Sequence, residues 1–300
     1  MAGNDPRQRP PAKPSPRSSA APPRERGSAH ESGRRRAGAG SKRAELDTIC
    51  GVAAVEAALA ARPAALRRLL LRSDLSPRFA LVMRGMAEAR LPYALVSDDE
   101  LERAAASDRH QGVVAHFVAA PPLGDDEARQ RLRSSARPLG LYLDGVGNPH
   151  NVGAIARSAA HFGVDILLQR AGPGSARPSA AARRVAEGGL EAVPLAMIAD
   201  PQRFLMELRA SGCMLLATSA SDGVPPWRVD LRRPLIWLLG AEERGLDPVL
   251  VAAADHRVAV PGSGAVESLN VSATAAILLA ETARQREGAG GPTTTRPAKR

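Results

Sequence analysis

Three short stretches of this 300-residue chain hold residue types at spacings that suit chemistry. The first runs through residues 147–153 (Gly-Asn-Pro-His-Asn-Val-Gly) into 154–157 (Ala-Ile-Ala-Arg). Asn151 stands where a helix N-cap belongs, and Gly153 lets a backbone or ligand approach the first turn. Arg157 follows less than two turns on, and a helix N-terminus with an arginine nearby suits a phosphate. A capped helix with a solvated arginine is the plainer alternative. The second stretch, residues 239–246 (Leu-Gly-Ala-Glu-Glu-Arg-Gly-Leu), follows an apolar run. Its Gly240 and Gly245 flank Glu242, where an ordinary strand-to-helix turn is the alternative. The third ends a strand at Val260-Pro261, continues through Gly262-Ser263-Gly264, and opens a helix at Ser268-Leu269-Asn270. Capping accounts for one of Ser268 and Asn270, but not for both.

Other chemistries fail on spacing. Gly145-x-Gly147 is followed by Gly153, so the dinucleotide fingerprint is absent. His150 and His161 have no nucleophile or metal-ligand partners at suitable spacing, and no metal is expected. Cys50 and Cys213 form no CxxC pair, which argues against a disulfide framework or zinc ribbon and fits a reducing cytoplasm. No run approaches the roughly 18 apolar residues of a membrane helix, and the N-terminus lacks the apolar core of a secretory signal. The net charge of +10 is concentrated at the ends: residues 1–44 carry +8 and 283–300 carry +4, leaving the body at −2. General phosphate affinity therefore resides in the ends or in a local patch. With eight aromatic residues, stacking platforms for single-stranded RNA are implausible.

The elements that must position the three stretches read as two α/β units. Residues 1–44 mix Pro, Gly, Ser and Arg without periodicity and predict a disordered basic tail. Residues 45–120 predict a small domain, with order beginning near Ile49. Helices are expected at 51–61, 77–90 and from Asp98, and strands at 66–71, 92–96 and 111–118. A polar linker is expected over 121–138. Residues 139–284 alternate strand and helix, with strands at 141–143, 166–168, 214–218, 235–239 and 256–260. Helices are expected there at 151–162, 199–210 and 268–284. That alternation implies a mostly parallel sheet covered on both faces, with its crevice at the carboxyl ends of the strands. Residues 285–300 predict a second tail.

Taken together, Asn151/Gly153/Arg157, Gly240/Glu242/Gly245 and Ser268-Leu269-Asn270-Val271-Ser272 resemble the SpoU (TrmH-type) branch of the SPOUT RNA methyltransferases. The resemblance covers about residues 139–284. Residues 49–118, including His110-Gln111-Gly112-Val113-Val114-Ala115, look like that family's small L30e-like substrate-binding domain. It implies a trefoil knot in the C-terminal domain, a homodimer, and S-adenosylmethionine-dependent methylation of a ribose 2′-hydroxyl in structured RNA, either ribosomal or transfer RNA, with ribosomal RNA favoured by the separate recognition domain. By motif, Asn151, Arg157, Glu242, Ser268 and Asn270 match catalytic and RNA-orienting positions, and Gly240, Val260 and Leu269 match cofactor-binding positions. Asn148 stands where many relatives carry an acidic residue. Ala186-Glu187-Gly188-Gly189 stands where the family often has Ser-Ala-Gly-Ala, on the RNA-facing surface. The rival expectation is an RNA-binding protein of the same fold that has lost transfer activity and acts in ribosome assembly.

Overall fold

A computed structural model describes residues 45–172 and 178–287; the tail expected over 1–44 and residues 288–300 of the second tail lie outside that range. Order starts with a strand not expected from the sequence, Leu46–Cys50 (β1), whose second residue is a buried aspartate that masks its apolar pattern. Helix Val52–Ala61 (α1), strand Leu66–Leu71 (β2), helix Ala80–Glu88 (α2), strand Tyr93–Leu95 (β3), helix Asp98–Ala105 (α3) and strand Val113–Val118 (β4) complete the first domain. α2 begins three residues after Pro77, where the sequence placed its start. The sheet order is β1-β4-β2-β3, with β4 antiparallel to both neighbours and β2 parallel to β3. Ile49, Val55, Leu69, Phe79 and Phe117 fill its core.

The expected polar linker is in fact a helix, Asp125–Arg133 (α4). Only Ala128 and Leu132, one turn apart, are buried, too narrow an apolar stripe to stand out among nine mostly charged residues. Charge placement supplies the rest. Asp125, Asp126 and Glu127 occupy the first turn, Arg131 and Arg133 the last, and Glu127 Oε2 accepts from the Gly124 amide at 2.8 Å.

The second domain contains strand Leu139–Asp144 (β5), helix Pro149–His161 (α5), strand Ile166–Arg170 (β6), helices Ala180–Ala186 (α6) and Gly189–Ala192 (α7), and strand Leu195–Ile198 (β7). Helix Pro201–Ala210 (α8), strands Met214–Ser219 (β8) and Leu235–Gly240 (β9), helix Pro248–Ala253 (α9), strand His256–Ala259 (β10) and helix Val271–Glu287 (α10) follow. Six parallel strands are ordered β10-β8-β9-β5-β6-β7. The chain runs outward from β5 through β6 and β7, then crosses to β8 on the other side before β9 takes the place beside β5, so the topological switch lies between β5 and β9. Leu141, Ile155, Trp237 and Leu278 pack on one face of the sheet, and Tyr142, Leu168, Phe204 and Leu238 on the other. α10 lies against α5, tied down where the buried Trp237 Nε1 donates to Thr282 Oγ1 at 3.2 Å.

The two domains share an ionic cluster. Arg62 bonds Glu191 at 2.9 Å and Asp47 at 3.0 Å, and Arg183 bonds the same carboxylates at 2.7 and 3.0 Å. All four side chains are at most 15% exposed, so each charge relies on its partners rather than on water. Asp47→Ala leaves two buried guanidiniums short of a counter-charge and should cost about 3–5 kcal/mol, read from urea denaturation midpoints. An unchanged midpoint would contradict the assignment. Burial pushes the Cys213 thiol up to about 12, against the opposing pull of Arg286. Native protein at pH 8 should therefore resist alkylation at Cys213 and react there only once unfolded, as peptide mass mapping would show.

Candidate active site

The first site residue is positioned by a cap that the sequence suggested for the wrong asparagine. Asn148, not Asn151, caps α5: its Oδ1 accepts from the His150 amide at 2.9 Å, and Pro149 takes the first helical position. Asn151 is therefore inside the first turn, buried, with its amide free for tertiary bonding. At the other end of the chain Asn270 precedes α10. Its Oδ1 accepts from the Ser272 amide at 2.9 Å and hydroxyl at 2.6 Å. The helix starts at Val271, so Ser268 and Leu269 lie in the loop before it rather than in its first turn.

The three sequence stretches meet at these side chains. Asn270 Nδ2 donates to Glu242 Oε1 at 2.6 Å and to Asn151 Oδ1 at 3.1 Å, and Asn151 Nδ2 donates to the same Glu242 oxygen at 3.2 Å. Two amides thus hold one carboxylate oxygen, leaving Glu242 Oε2 without a partner among the described residues. The Glu242 turn is closed by a 2.8 Å bond from the Gly245 amide to the Ala241 carbonyl. It is also pinned to β5, where Asp144 accepts from the Ala241 and Asp247 amides at 3.0 and 2.8 Å. Gly240 is required there: a Cβ would overlap the backbone of Gly245 and Leu246.

Two cavities of similar size flank this turn. One, about 720 Å³, opens at the carboxyl ends of β8, β9 and β10 and is lined by residues 218–221, Gly240 to Glu242, Val260 to Gly264 and Ser268 to Leu269. The proposed cofactor positions Gly240, Val260 and Leu269 all line it. Its only charged lining side chains are the carboxylates of Glu242 and Glu267. Backbone amides, apolar Val260, Leu269 and Ile277, and an acidic wall fit a nucleoside that carries a positive sulfonium, so S-adenosylmethionine suits these residues. No atom stands within 4 Å of where a Cβ would be at Gly262 or Gly264, leaving the loop side open.

The second cavity, about 710 Å³, lies at the β5/β9 switch point and carries Arg170 and Arg244 beside Asp144 and Asp247. Arg244 lies over Gly145, where a φ of +71° strains any residue with a side chain and a Cβ would stand 2.8 Å from the guanidinium. Arg244, two residues after Glu242 in the second sequence stretch, was not singled out from the sequence, and Arg170, at a strand end, gave no signal. Among the sequence candidates, Arg157 stands apart from the amide–carboxylate cluster. It is 59% exposed on α5 and pairs with Glu187 at 2.8 Å. Ser268 lines the first cavity and has no side-chain partner among the described residues.

Residues 138–280 match the model of the SpoU rRNA Methylase family, and residues 48–123 match that of the RNA 2′-O ribose methyltransferase substrate-binding domain. A 23S rRNA (guanosine-2′-O-)-methyltransferase RlmB from Shewanella oneidensis is 34% identical over 80% of this chain and 98% of its own length. The chain belongs to the SpoU rRNA methylase family. Like that family it is an S-adenosylmethionine-dependent RNA 2′-O-methyltransferase, rather than a binder that has lost transfer. Among SpoU relatives, the uncharacterized tRNA/rRNA methyltransferase YfiF of Escherichia coli O157:H7 is 33% identical over 82% of this chain and 70% of its own. The solved SpoU methyltransferase AviRb from Streptomyces viridochromogenes, in complex with AdoMet, superposes with a TM-score of 0.66. It is 25% identical and is matched over 81% of this chain and 91% of its own. No helix among the described residues is long and apolar enough to cross a membrane.

Proposed function

We propose that this SpoU enzyme methylates a ribose of ribosomal RNA, with 23S rRNA as the substrate, as in the relatives named RlmB. The observation that carries the reading is the division of charge between the two cavities. The cavity beyond β9 is walled by carboxylates only, whereas the cavity at the switch point sets the guanidiniums of Arg170 and Arg244 beside the carboxylates of Asp144 and Asp247. A cationic methyl donor belongs in the first, and a nucleotide in the second, the one of the two with guanidiniums to meet a phosphate, with the Asn151–Glu242–Asn270 cluster between them.

When bound, S-adenosylmethionine supplies a methyl carbon made electrophilic by the sulfonium. The protein must then place a ribose oxygen in line with that carbon and find an outlet for its proton. Placement of this kind is worth up to about 7–11 kcal/mol of barrier. Backbone groups at Gly240, Val260 and Leu269 hold the donor; Glu242, Ser268 and Asn270 orient ribose and loop by hydrogen bonds, with Asn151 fixing Glu242. Arg157 takes the phosphate beside the target ribose and stabilises charge that develops on the oxygen. A guanidinium keeps its charge at neutral pH and suits this role better than that of a resting base, so the ribose proton leaves through Arg157 only transiently, or to water.

The same reading includes a trefoil knot and a homodimer. For the knot, the connection between β8 and β9 is bonded to β10 where the Val224 amide meets the Arg257 carbonyl at 2.9 Å. It is bonded again to α10 where Gln285 contacts Val229 and Leu231. For the dimer, Ala273, Ile277 and Ala280 form an exposed stripe of small and apolar residues along α10. A cytoplasmic location follows from the substrate.

Mapping 2′-O-methyl positions on total RNA with and without the gene tests the substrate, and loss of one ribosomal position is expected. A methylation map identical in both strains would refute the reading. The nucleotide cavity has its own test. At Gly147 a Cβ has only the Gly145 carbonyl nearby, at 3.9 Å, so Gly147→Phe can project into the cavity without a backbone clash. It should cut RNA methylation at least ~100-fold, about 2.7 kcal/mol, while S-adenosylmethionine binding by calorimetry changes less than twofold.

A further inference from the structure

The turn Glu187-Gly188-Gly189 lies between the two domains. Glu187 ends α6 in a left-handed conformation (φ 45°, ψ 44°), which a residue with a side chain seldom adopts. Gly188, at φ +93°, is pressed against α1 of the first domain, where a Cβ would overlap that of Ala57. Gly189 is pressed against α5, where a Cβ would stand 2.5 Å from the Ala156 carbonyl oxygen and 2.8 Å from the Arg157 nitrogen. Two residues later Glu191 enters the buried cluster with Arg62, Arg183 and Asp47. The backbone of this turn is thus fixed from both sides, and it delivers the Glu187 carboxylate to the Arg157 guanidinium at 2.8 Å.

The pair itself is of a different kind from the cluster that fixes the turn. Its side chains are 59% and 42% exposed, so water and salt screen it and a competing anion can displace it. We infer that Glu187 is a positioning residue that occupies Arg157 until a target phosphate displaces it. The inference rests on the phosphate-binding role of Arg157 proposed above. Glu187 then sets specificity. A phosphate presented at the right place exchanges one anion for another, whereas RNA that misses the first domain must compete with a carboxylate held at high local concentration. The docked first domain maintains the competitor through Ala57 and Gly188.

Steady-state methylation of an rRNA fragment by Glu187→Gln tests this, since the variant keeps shape and removes charge. The KM for RNA should fall at least ~3-fold with kcat within twofold. The slope of log KM against log salt should stay within about 0.7–0.9 of wild type, less than one phosphate contact, because Arg157 meets the same phosphate in both proteins. Glu187→Asp, which restores the charge, should return KM toward wild type. In an Arg157→Gln background, Glu187→Gln should have no further effect. A KM for RNA that is unchanged or raised in Glu187→Gln, or a loss confined to kcat, would overturn the inference. The two readings separate cleanly. If Arg157→Gln alone leaves the KM for RNA unchanged, the phosphate role of Arg157 fails. If Arg157→Gln raises KM while Glu187→Gln does not lower it, only the role of Glu187 fails.

Discussion

Gly240→Ala should abolish S-adenosylmethionine binding, with an affinity loss of at least ~100-fold by calorimetry, and should lower stability by about 1–3 kcal/mol. One added methyl group has this effect because of where it would stand. It would overlap the backbone carbon of Gly245 and nitrogen of Leu246, which are main-chain atoms with no rotamer to yield. That segment is held by the 2.8 Å bond closing the Ala241–Gly245 turn, and by Asp144 of the neighbouring strand. Relief therefore requires moving the turn that carries Glu242, and with it the wall of the donor cavity. The control is Gly245→Ala, whose added methyl group meets no atom within 4 Å but must tolerate a φ of +66°. It should lose stability through backbone strain alone and retain most donor affinity. Wild-type affinity in Gly240→Ala would show that the close approach of the two strands of chain is irrelevant to the donor site.

Arg157→Lys should lower kcat/KM for RNA by about 100-fold, a cost of roughly 2.7 kcal/mol in the transition state. Charge is conserved, so a loss of that size must come from the guanidinium fork, which meets a phosphate and a developing oxyanion together where an ammonium presents a single point. Donor binding should be unaffected, because Arg157 is on the exposed side of α5 and does not line the acidic cavity. Full methyl transfer with an unchanged pH profile would show the guanidinium to be dispensable. A rate that falls only below the ordinary range of lysine pKa values, and recovers above it, would instead point to a proton-accepting role. The two outcomes are distinguishable in one pH series.

Much of the second domain was legible in the sequence because its signals are local. Apolar runs at 141–143, 166–168, 214–218 and 235–239 became buried parallel strands, and each candidate loop follows a strand end, where an α/β sheet places its ligands. Short-range competition was harder to read. Asn148 and Asn151 are both good caps, and the rigid φ of Pro149 gave the place to Asn148. Ser268 and Asn270 posed the same choice, settled in favour of Asn270. The helix at 125–133 went unread because its burial is set by a sheet that is remote in sequence, not by its own periodicity.

By itself the chain's order of residues determined the α/β class, the two-domain division and the three loops with their chemical types. The tertiary structure alone decided how those types combine. Asn151, Glu242 and Asn270 are separated by 91, 119 and 28 positions in their three pairings, yet share hydrogen bonds of 2.6–3.2 Å. It also decided that Glu187, 30 positions from Arg157, would be held against it by a turn wedged between two domains. Caps and periodicity act over a few residues, whereas such meetings depend on strand order and on where glycine lets one backbone touch another.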